Sequence, residues 1–300
     1  MNQKIRLDIL VAKKFELSRV IAKQKIIDGQ VFVNNKQINK PNFLVDAKTT
    51  IELHETKKEI KQPETLLKPW KKAIEIVYED EYIFVVNKPN NLIVHPTKYE
   101  NQKTLANIIA NLFIEKKIPF FGDPLRNGIV HRLDKDTQGL IIVAKSQAAF
   151  DAFVSLFINK KITKKYLALV YGFLKTKTVK VDAPLKRNND TILQEVSTDF
   201  DAKDAISIFK EMQRFKNFSL VEVEIETGRT HQIRAHAQFI NNHIINDLLY
   251  GDKNEVKIKG LGQYLVSYSL EFIHPFLKKE ININLGMPKS FKEYINKYGK

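Results

Sequence analysis

Short runs in which apolar residues alternate with charged ones limit the fold of this chain. In the run Val221–Glu226, three β-branched residues alternate with three glutamates, and a period of two predicts a strand with one face in the core. Apolar runs at 73–78, 82–86 and 140–143 predict further strands. Helical spacing follows Thr104 and Ser146, each placed as an N-cap. Together these patterns predict an α+β fold whose mainly antiparallel mixed sheet is flanked by helices.

The first fifty residues have the pattern of a separate, small α/β unit. Ser18 is placed as the N-cap of a helix, and Gly29 as the residue that ends it with a positive φ. A short strand follows, and Asn34-Asn35 form a turn that can reverse it. Residues 57–72 are mostly polar and lack periodicity, which is typical of a linker. We therefore expect domains at 1–56 and 73–300, joined by this linker.

The composition narrows the classes of function. The 300 residues carry 49 Lys and Arg against 34 Asp and Glu, a net charge of +15, which favours a polyanionic partner such as nucleic acid. A lysine-rich proteome would produce the same excess. The sequence has no cysteine, which excludes disulfides, thiolate nucleophiles and thiolate zinc sites. It shows neither a signal segment nor a long apolar run, so we expect a cytoplasmic protein without a membrane span.

Three short pieces of the first fifty residues resemble a known RNA-binding module. They are Arg6-Leu7-Asp8, Leu17-Ser18-Arg19 and the run 27–34, and they are similar to the αL RNA-binding domain first recognised in a small-subunit ribosomal protein. The resemblance implies that several basic and polar residues of this domain face RNA. The alternative for each of them is a solvent-exposed helix face. The residues implied are Arg6, Ser18, Arg19, Lys23 and Lys25.

Residues 126–140 concentrate charged side chains in one loop. The loop is rich in His, Arg, Asp and Lys and lies between predicted strands at 128–130 and 140–143. Loops anchored in this way often carry functional groups. The alternative is turn chemistry, in which Asp134, Asp136 and Gly139 only shape the chain.

Residues 226–236 form a second concentration of charge. Two arginines and two histidines stand where a strand ends and a helix begins near Thr230. Helix N-termini and arginines together favour anions. A zinc site is disfavoured, because His231 and His236 are five residues apart rather than the four that align two ligands on one helix face.

Four pieces of the larger segment occur together in one order. They are 79–89, His131-Arg132-Leu133-Asp134 with its neighbours, Lys165-Tyr166, and the run 227–234, and they resemble the RluA family of RNA pseudouridine synthases. The resemblance implies an isomerase that converts uridine in RNA to pseudouridine without a cofactor or a metal. It also implies catalytic roles for Asp134, Tyr166 and Arg234, displacement of the target base by Arg132, and a contact with substrate or backbone by Arg229.

The resemblance further implies an RNA partner, with large-subunit ribosomal RNA as the leading target and transfer RNA as the other. We expect a monomer. The alternative function is a non-catalytic RNA-binding or ribosome-assembly protein that has kept the fold, and the complete set Asp134, Tyr166 and Arg234 argues against it. Taken alone, Tyr166 in a strand would be an ordinary aromatic core residue.

The reaction itself requires these residue types. Breaking the N1–C1′ glycosidic bond leaves an oxocarbenium-like sugar carbon, for which a carboxylate is suited as nucleophile or electrostatic stabiliser. Attack of Asp134 on the sugar, its attack on the base, and its removal of a sugar proton are all open. A carboxylate in a closed pocket needs a cation to stay ionised, and Arg234 can supply it through a planar fork. Tyr166 could stack on uracil, remove the C5 proton, or both.

The sequence departs from the family pattern in three places. Gln138 stands where serine is usual, Asn90-Asn91 replaces Ala-Gly after Lys-Pro, and Asn246-Asp247 replaces Gly-Asp. These positions bear on the geometry of loops rather than on the three implied catalytic residues.

Overall fold

The structure is a computed structural model that describes most of the chain. The described residues are 4–15, 17, 19–27, 29–46, 49–54, 74–97, 103–123, 126–188, 191–252, 258 and 260–300. The chain divides into two compact units, residues 1–61 and 62–300. The predicted linker, 57–72, lies outside the described residues. No helix in the described part of the chain is long and apolar enough to cross a membrane.

The smaller unit combines two helices with short strands. Its elements are β1 (Lys4–Arg6), α1 (Leu7–Lys14), α2 (Arg19–Ile27), β2 (Val31–Val33), β3 (Lys36–Gln37), β4 (Leu44–Asp46) and β5 (Ile51–Leu53). Strands β3, β2 and β5 form one sheet, and β1 pairs with β4. Leu7 and Val11 of α1 pack in one core with Ile26 of α2 and Val31 of β2. The sequence analysis did not predict α1, because its apolar spacing extends over only two turns.

Two turns of the smaller unit confirm sequence predictions. Gly29 has a φ of 72° after the end of α2, a left-handed conformation that costs glycine little. Asn34 and Asn35 have φ angles of 47° and 62° and reverse the chain between β2 and β3, as expected of a hairpin turn that needs two positive φ values. The predicted N-cap, Ser18, lies outside the described residues.

One large sheet organises the second unit. Its strands and those beside it are β6 (Glu75–Glu79), β7 (Ile83–Lys88), β8 (Gln138–Ala144), β9 (Ile162–Tyr171), β10 (Thr178–Asp182), β11 (Leu185–Arg187), β12 (Gln194–Val196), β13 (Ile206–Arg214), β14 (Phe218–Ile225), β15 (Leu265–Ile273) and β16 (Glu280–Asn284). The nine-stranded sheet has the order β10-β13-β14-β9-β15-β8-β7-β6, with β16 also paired to β15. Only the β8–β15 pair among these is parallel, which confirms the α+β class with a mainly antiparallel mixed sheet.

Four helices accompany this sheet: α3 (Leu105–Glu115), α4 (Gln147–Ile158), α5 (Gln232–Phe239) and α6 (Lys289–Tyr298). Thr104 accepts a hydrogen bond from the Asn107 N–H while the Asn107 side chain accepts one from the Thr104 N–H, a reciprocal cap. Ser146 likewise accepts from the Ala149 N–H at 3.2 Å. The N-caps predicted for α3 and α4 are therefore confirmed.

Two sequence predictions were wrong in detail. Residues 128–130 form no strand, only an isolated bridge at Ile129, because Asn127 and Gly128 both have positive φ angles, 47° and 76°, which break an extended run. The helix predicted to open near Thr230 begins at Gln232, because His231 has a φ of 55° that no α-helical residue adopts.

A row of directly paired residues crosses the middle of the large sheet. Lys88 pairs with Gly139, Gly139 with Ser267, Ser267 with Tyr166, and Tyr166 with Val223. At its centre a Cβ on Gly139 would lie 2.2 Å from the Ser267 carbonyl oxygen, so glycine is required for β8 and β15 to approach. Since directly opposed residues point to the same face, this row places Lys88 and Tyr166 on one side of the sheet.

Candidate active site

The turn that carries Asp134 precedes β8 and is held by several contacts. The Thr137 N–H donates to the Asp134 carbonyl oxygen at 3.2 Å, and Gln263 Nε2 donates to Thr137 Oγ1 at 2.8 Å. A Cβ on Gly262 would lie 2.5 Å from the Asp136 carbonyl oxygen, so this glycine allows the backbones to touch. The turn is therefore fixed against the segment that leads into β15.

The Lys88 side chain also holds this turn in place. Its side chain is fully buried, and Nζ donates to the carbonyl oxygens of Pro89, Leu92 and Lys135, each at 2.9 Å. Burial lowers the pKa of Lys88 to about 7, against the opposing charges of nearby carboxylates. Lys135 directly follows Asp134, so Lys88 positions the backbone beside the candidate nucleophile. Sequence reasoning missed this role, because backbone acceptors leave no motif.

Asp134 and Arg234 are one hundred residues apart in sequence and in contact in the fold. Arg234 Nη1 donates to Asp134 Oδ2 at 3.1 Å. The Asp134 side chain is 19% exposed and that of Arg234 only 6%, so both are largely buried and Asp134 is the more accessible of the two. Among the described residues, no hydrogen-bond donor reaches Asp134 Oδ1, which leaves that oxygen available to a substrate.

Asp247 fixes the other side of the Arg234 guanidinium. Arg234 Nε donates to Asp247 Oδ2 at 2.7 Å and Nη2 to Oδ1 at 2.8 Å, the bidentate geometry that a planar fork favours. Asp247 is fully buried and also accepts from the backbone N–H groups of Leu249 and Tyr250 at 2.9 and 3.0 Å. Sequence reasoning named Asp247 only as part of a changed pair and missed this role.

Charge keeps both members of the buried pair ionised. Burial lowers the pKa of Arg234, but its hydrogen bonds and charge interactions with Asp247 and Asp134 outweigh burial and raise the pKa above its ordinary value. Burial raises the pKa of Asp247, but hydrogen bonds from Arg234 and two backbone amides outweigh it and hold the pKa below the ordinary value. Arg234 therefore presents a permanent positive charge to Asp134.

Asn246 connects the Asp247 segment to the turn region. Its φ is 62°, a conformation that glycine and asparagine tolerate better than other residues, which explains how it replaces the glycine usual in the family pattern. Its Nδ2 lies within 2.9 to 3.2 Å of the carbonyl oxygens of Ile258, Leu261 and Gly262. Asn246 thus holds in place the same segment that packs on Asp136.

Tyr250 and His231 form the wall beside the pair. The Arg234 guanidinium lies 5.0 Å from the centre of the Tyr250 ring, and the Tyr250 hydroxyl lies 3.1 Å from His231 Nδ1. His231 Nε2 is 3.9 Å from Asp134 Oδ2. Burial lowers the pKa of His231 despite the opposing charge of Asp134, so the imidazole is neutral at pH 7. The left-handed conformation of His231 turns the chain into α5 at this point.

Tyr166 contributes to the site from β9. Its side chain is 7% exposed, and burial raises the pKa of its hydroxyl, with the charge of Asp134 acting in the same direction. The phenol is therefore protonated at neutral pH. It offers an aromatic ring and a hydrogen-bond donor near Asp134.

The two other arginines implied by the resemblance lie at the surface. Arg132 is exposed, and its charge acts on His231, which places it near that histidine. Arg229 is exposed and donates Nε to the Asp204 carbonyl oxygen at 2.9 Å. Both side chains are therefore accessible to a polyanion, although Arg229 Nε is engaged by the local backbone.

The residues implied to face RNA in the smaller unit have different surroundings. Arg6 forms two hydrogen bonds to the buried carboxylate of Asp8, at 3.0 and 3.1 Å, and Lys25 Nζ lies 3.2 Å from a side-chain oxygen of Gln30. Lys23 is exposed. Arg19 is the first residue of α2, and Ser18 lies outside the described residues.

His236 is a structural residue of α5. It is fully buried, and its ring nitrogens lie 2.9 Å from Ser207 Oγ and 2.9 Å from the Ala183 carbonyl oxygen. Both nitrogens are thus engaged in tying α5 to its neighbours. In the described part of the chain, no group of three or more His, Cys, Asp or Glu side chains is arranged to hold a metal ion.

His131 is held neutral beneath the turn. Its Nε2 accepts a hydrogen bond from the Ile142 N–H at 3.0 Å, and its ring packs on Phe157 with centroids 4.5 Å apart. Burial lowers the pKa of His131 to about 3, and the charges of Lys164 and His95 act in the same direction. Protonation would therefore both charge this half-buried ring and remove its acceptor.

This state of His131 predicts an acid-labile fold. An unfolded histidine has a pKa of about 6.5, so below that pH the unfolded chain binds a proton that the folded chain rejects. The free energy of unfolding should fall as the pH drops from about 6.5 towards 3, by up to about 1.4 kcal/mol per pH unit. His131→Gln keeps an acceptor and cannot be protonated, so urea unfolding should show the variant gaining on the wild type between pH 7 and pH 4.5. A constant difference across that range would contradict the prediction.

Family comparisons agree with the division into two units. Residues 82–239 match the family model for RNA pseudouridylate synthase, and residues 5–51 match the S4 domain. The first match contains Asp134, Tyr166 and Arg234. The second lies within the smaller unit.

Similar proteins cover nearly the whole chain. An uncharacterized RNA pseudouridine synthase of Mycoplasma pneumoniae is 36% identical over 97% of this chain and 92% of its own length. The ribosomal large subunit pseudouridine synthase D of Buchnera aphidicola is 32% identical over 97% of this chain and 93% of its own length. Among solved structures, human RNA pseudouridylate synthase domain containing 1 has a TM-score of 0.60 at 22% identity, over 74% of this chain and 85% of that one, and so shares the fold.

Proposed function

Because this chain belongs to the RluA-type family of RNA pseudouridine synthases, we propose that it isomerises specific uridines of large-subunit ribosomal RNA, with Asp134 as the carboxylate that acts on the nucleoside. Two observations support the target. The chain carries an S4 domain, and relatives over 30% identical are named ribosomal large subunit pseudouridine synthase D. Such a target would place the protein in the cytoplasm.

The observation that carries the catalytic part is the contact of Asp134 Oδ2 with Arg234 at 3.1 Å. In the reaction, the N1–C1′ bond breaks and uracil leaves with the bonding electrons. C5 then bonds to C1′ and gives up its hydrogen as a proton, while N1 takes up a proton. A carboxylate that faces the sugar carbon can stabilise its developing positive charge or bond to it. Arg234 places a positive charge against that carboxylate, and Asp247 binds the other two nitrogens of the guanidinium and so fixes its orientation.

Tyr166 serves as the platform for the leaving uracil. Its ring offers a stacking surface to the base while uracil turns from N1 to C5. Since its phenol is protonated at neutral pH, it begins the reaction as a hydrogen-bond donor. To accept the C5 proton it must first pass its own proton on, so its first role is to hold the base.

The target nucleotide has to leave its base stack to reach Asp134 and Tyr166. Asp134 and Tyr166 are 19% and 7% exposed, so a uridine within a helix cannot reach them unless it is extruded. In this proposal Arg132, which is exposed, occupies the space that the base leaves. Loops, bulges and junctions of RNA meet this requirement most easily.

The two units divide the work in this proposal. The N-terminal domain, residues 1–56, binds RNA through Lys23 and its neighbours, and the catalytic domain, residues 73–300, carries out the isomerisation. A second RNA-binding module raises the effective concentration of the substrate at the catalytic site. The net charge of +15 adds attraction to phosphates that does not depend on sequence.

Pseudouridine mapping tests the proposal directly. Ribosomal and transfer RNA from cells with and without this gene are compared, and the purified protein is then offered the unmodified RNA. We expect one or a few large-subunit sites to disappear in the mutant and to be restored by the wild type but not by Asp134→Asn. Loss of sites in transfer RNA alone would overturn the target, and restoration by Asp134→Asn would overturn the role of Asp134.

A further inference from the structure

Lys164 is a half-buried ammonium group that the mechanism above does not use. It lies in β9 two residues before Tyr166, and since side chains alternate along a strand, both point to the same face of the sheet, about 6.7 Å apart. Among the described residues, no carboxylate lies within ion-pair distance of Lys164 Nζ. Its neighbour Lys165, on the other face, pairs with Glu271 at 2.9 Å.

The surroundings of Lys164 make the absence of a carboxylate partner unfavourable for the stability of the free protein. Its Nζ lies 5.8 Å from the centre of the Phe157 ring, and the charged or titratable groups that face it are Lys160 and His131. Lys160 is itself positive, and His131 is neutral above pH 4. Burial lowers the pKa of Lys164 to about 8, and Lys160 adds to the effect. A cation held under these conditions destabilises the free protein unless an anion arrives.

The position of Lys164 shows where such an anion would enter. A Cβ on Gly228 would lie 4.0 Å from Lys164 Nζ and meet no other atom within that distance. Gly228 is exposed and belongs to the segment between β14 and α5, which leads to Arg234. The φ angle of Gly228 is not positive, so the backbone does not require glycine there. The absence of a side chain at this exposed position leaves Lys164 Nζ uncovered on that side.

We infer that Lys164 binds a phosphodiester of the substrate RNA next to the extruded uridine, and that this phosphate is the counter-ion the free protein lacks. The inference rests on the proposed function, since it takes the base to lie over Tyr166. Lys164 lies two residues, about 6.7 Å, along β9 from Tyr166, a distance comparable to that between a base and the phosphate of its own nucleotide. The contact anchors the nucleotide by its phosphate while the uracil is free to turn.

The test measures RNA binding and turnover separately. Binding of an unmodified large-subunit ribosomal RNA transcript and of an oligouridylate 9-mer is measured in the Asp134→Asn background, where no product accumulates, at several salt concentrations. Lys164→Met should weaken binding about tenfold and lower the slope of log affinity against log salt by about 0.7, the value of one single-stranded phosphate contact. Lys161→Met is the matched control, since Lys161 is exposed and precedes the same strand, and it should leave the slope unchanged.

Two readouts separate phosphate binding from a structural role. Lys164→Met should raise the midpoint of thermal unfolding of the free protein, because it removes an unpaired charge. Wild-type affinity should fall as the pH rises from 7 to 9.5 and the ammonium loses its proton, whereas Lys164→Arg should bind equally well across that range.

In the active enzyme, Lys164→Met should raise KM about tenfold and change kcat by less than twofold. An unchanged salt slope, a lower unfolding midpoint, or a loss confined to kcat would each overturn the inference. A failure of the proposed function is distinguishable, because it would appear as an absence of turnover by the wild type, whereas the salt slope of Lys164→Met would still report phosphate binding.

Discussion

Asp134→Asn is expected to lose turnover by at least about 10⁴-fold while binding RNA as tightly as the wild type, since removal of a side chain that acts directly on the reacting atoms can have effects of this size. Asparagine has the same shape and still accepts a hydrogen bond from Arg234 Nη1, which lies 3.1 Å from Asp134 Oδ2. It lacks the negative charge that the sugar carbon requires when the glycosidic bond breaks. Release of tritium from C5 of labelled uridine in a transcript measures the loss, because C5 gives up its hydrogen to form the new bond.

Asp136→Asn is the matched control for that experiment. Asp136 lies in the same turn, two residues further on, and its removal takes the same charge from the same loop. Arg234 does not pair with it, so turnover should remain within a few fold of the wild type. Equal losses in the two variants would mean that the turn needs negative charge in general and would contradict a specific role for Asp134.

Arg234→Ala should have two large effects, one on the reaction and one on the fold. Turnover should fall by at least about 100-fold, since Asp134 loses the preorganised donor and positive charge that face its carboxylate. The free energy of unfolding should fall by about 3–5 kcal/mol, because Asp247 becomes a buried carboxylate without its cation. Urea unfolding and the tritium assay on the same preparation measure the two effects.

The double variant Arg234→Ala/Asp247→Ala separates the two effects. Removing both partners leaves no unpaired buried charge, so stability should recover part of the loss, while turnover should remain as low as in Arg234→Ala. A double variant no more stable than Arg234→Ala would show that Arg234 does not stabilise the fold through Asp247. Near-normal turnover in either variant would contradict the support of Asp134 by Arg234.

The sequence allowed the fold class to be predicted because its signals are local. Capping at Thr104 and Ser146 and the turn at Asn34-Asn35 each depend on neighbouring residues, and the structure confirms them. The run 128–130 was predicted as a strand because it is apolar. The positive φ angles of Asn127 and Gly128 prevent an extended conformation there. Apolar content alone does not distinguish a strand from a turn that contributes one core residue.

The candidate site was predictable only in part, for a related reason. The motifs that carry Asp134 and Arg234 are readable, and the need of a buried carboxylate for a cation links them. The roles of Asp247 and Lys88 were not identified. Asp247 acts by binding the Arg234 guanidinium, and Lys88 acts by binding backbone carbonyl oxygens. Such partners are set by how distant segments pack rather than by residue order.

The hydrogen bonding of Asp134 has a consequence for the direction of the chemistry. Arg234 has one nitrogen to spare and gives it to Oδ2 alone, so the two carboxylate oxygens are electronically unequal. Oδ2 is held by the hydrogen bond from Arg234, whereas Oδ1 keeps its lone pairs for a substrate. In the proposed reaction, the ribose therefore meets Oδ1, while Oδ2 stays paired with Arg234.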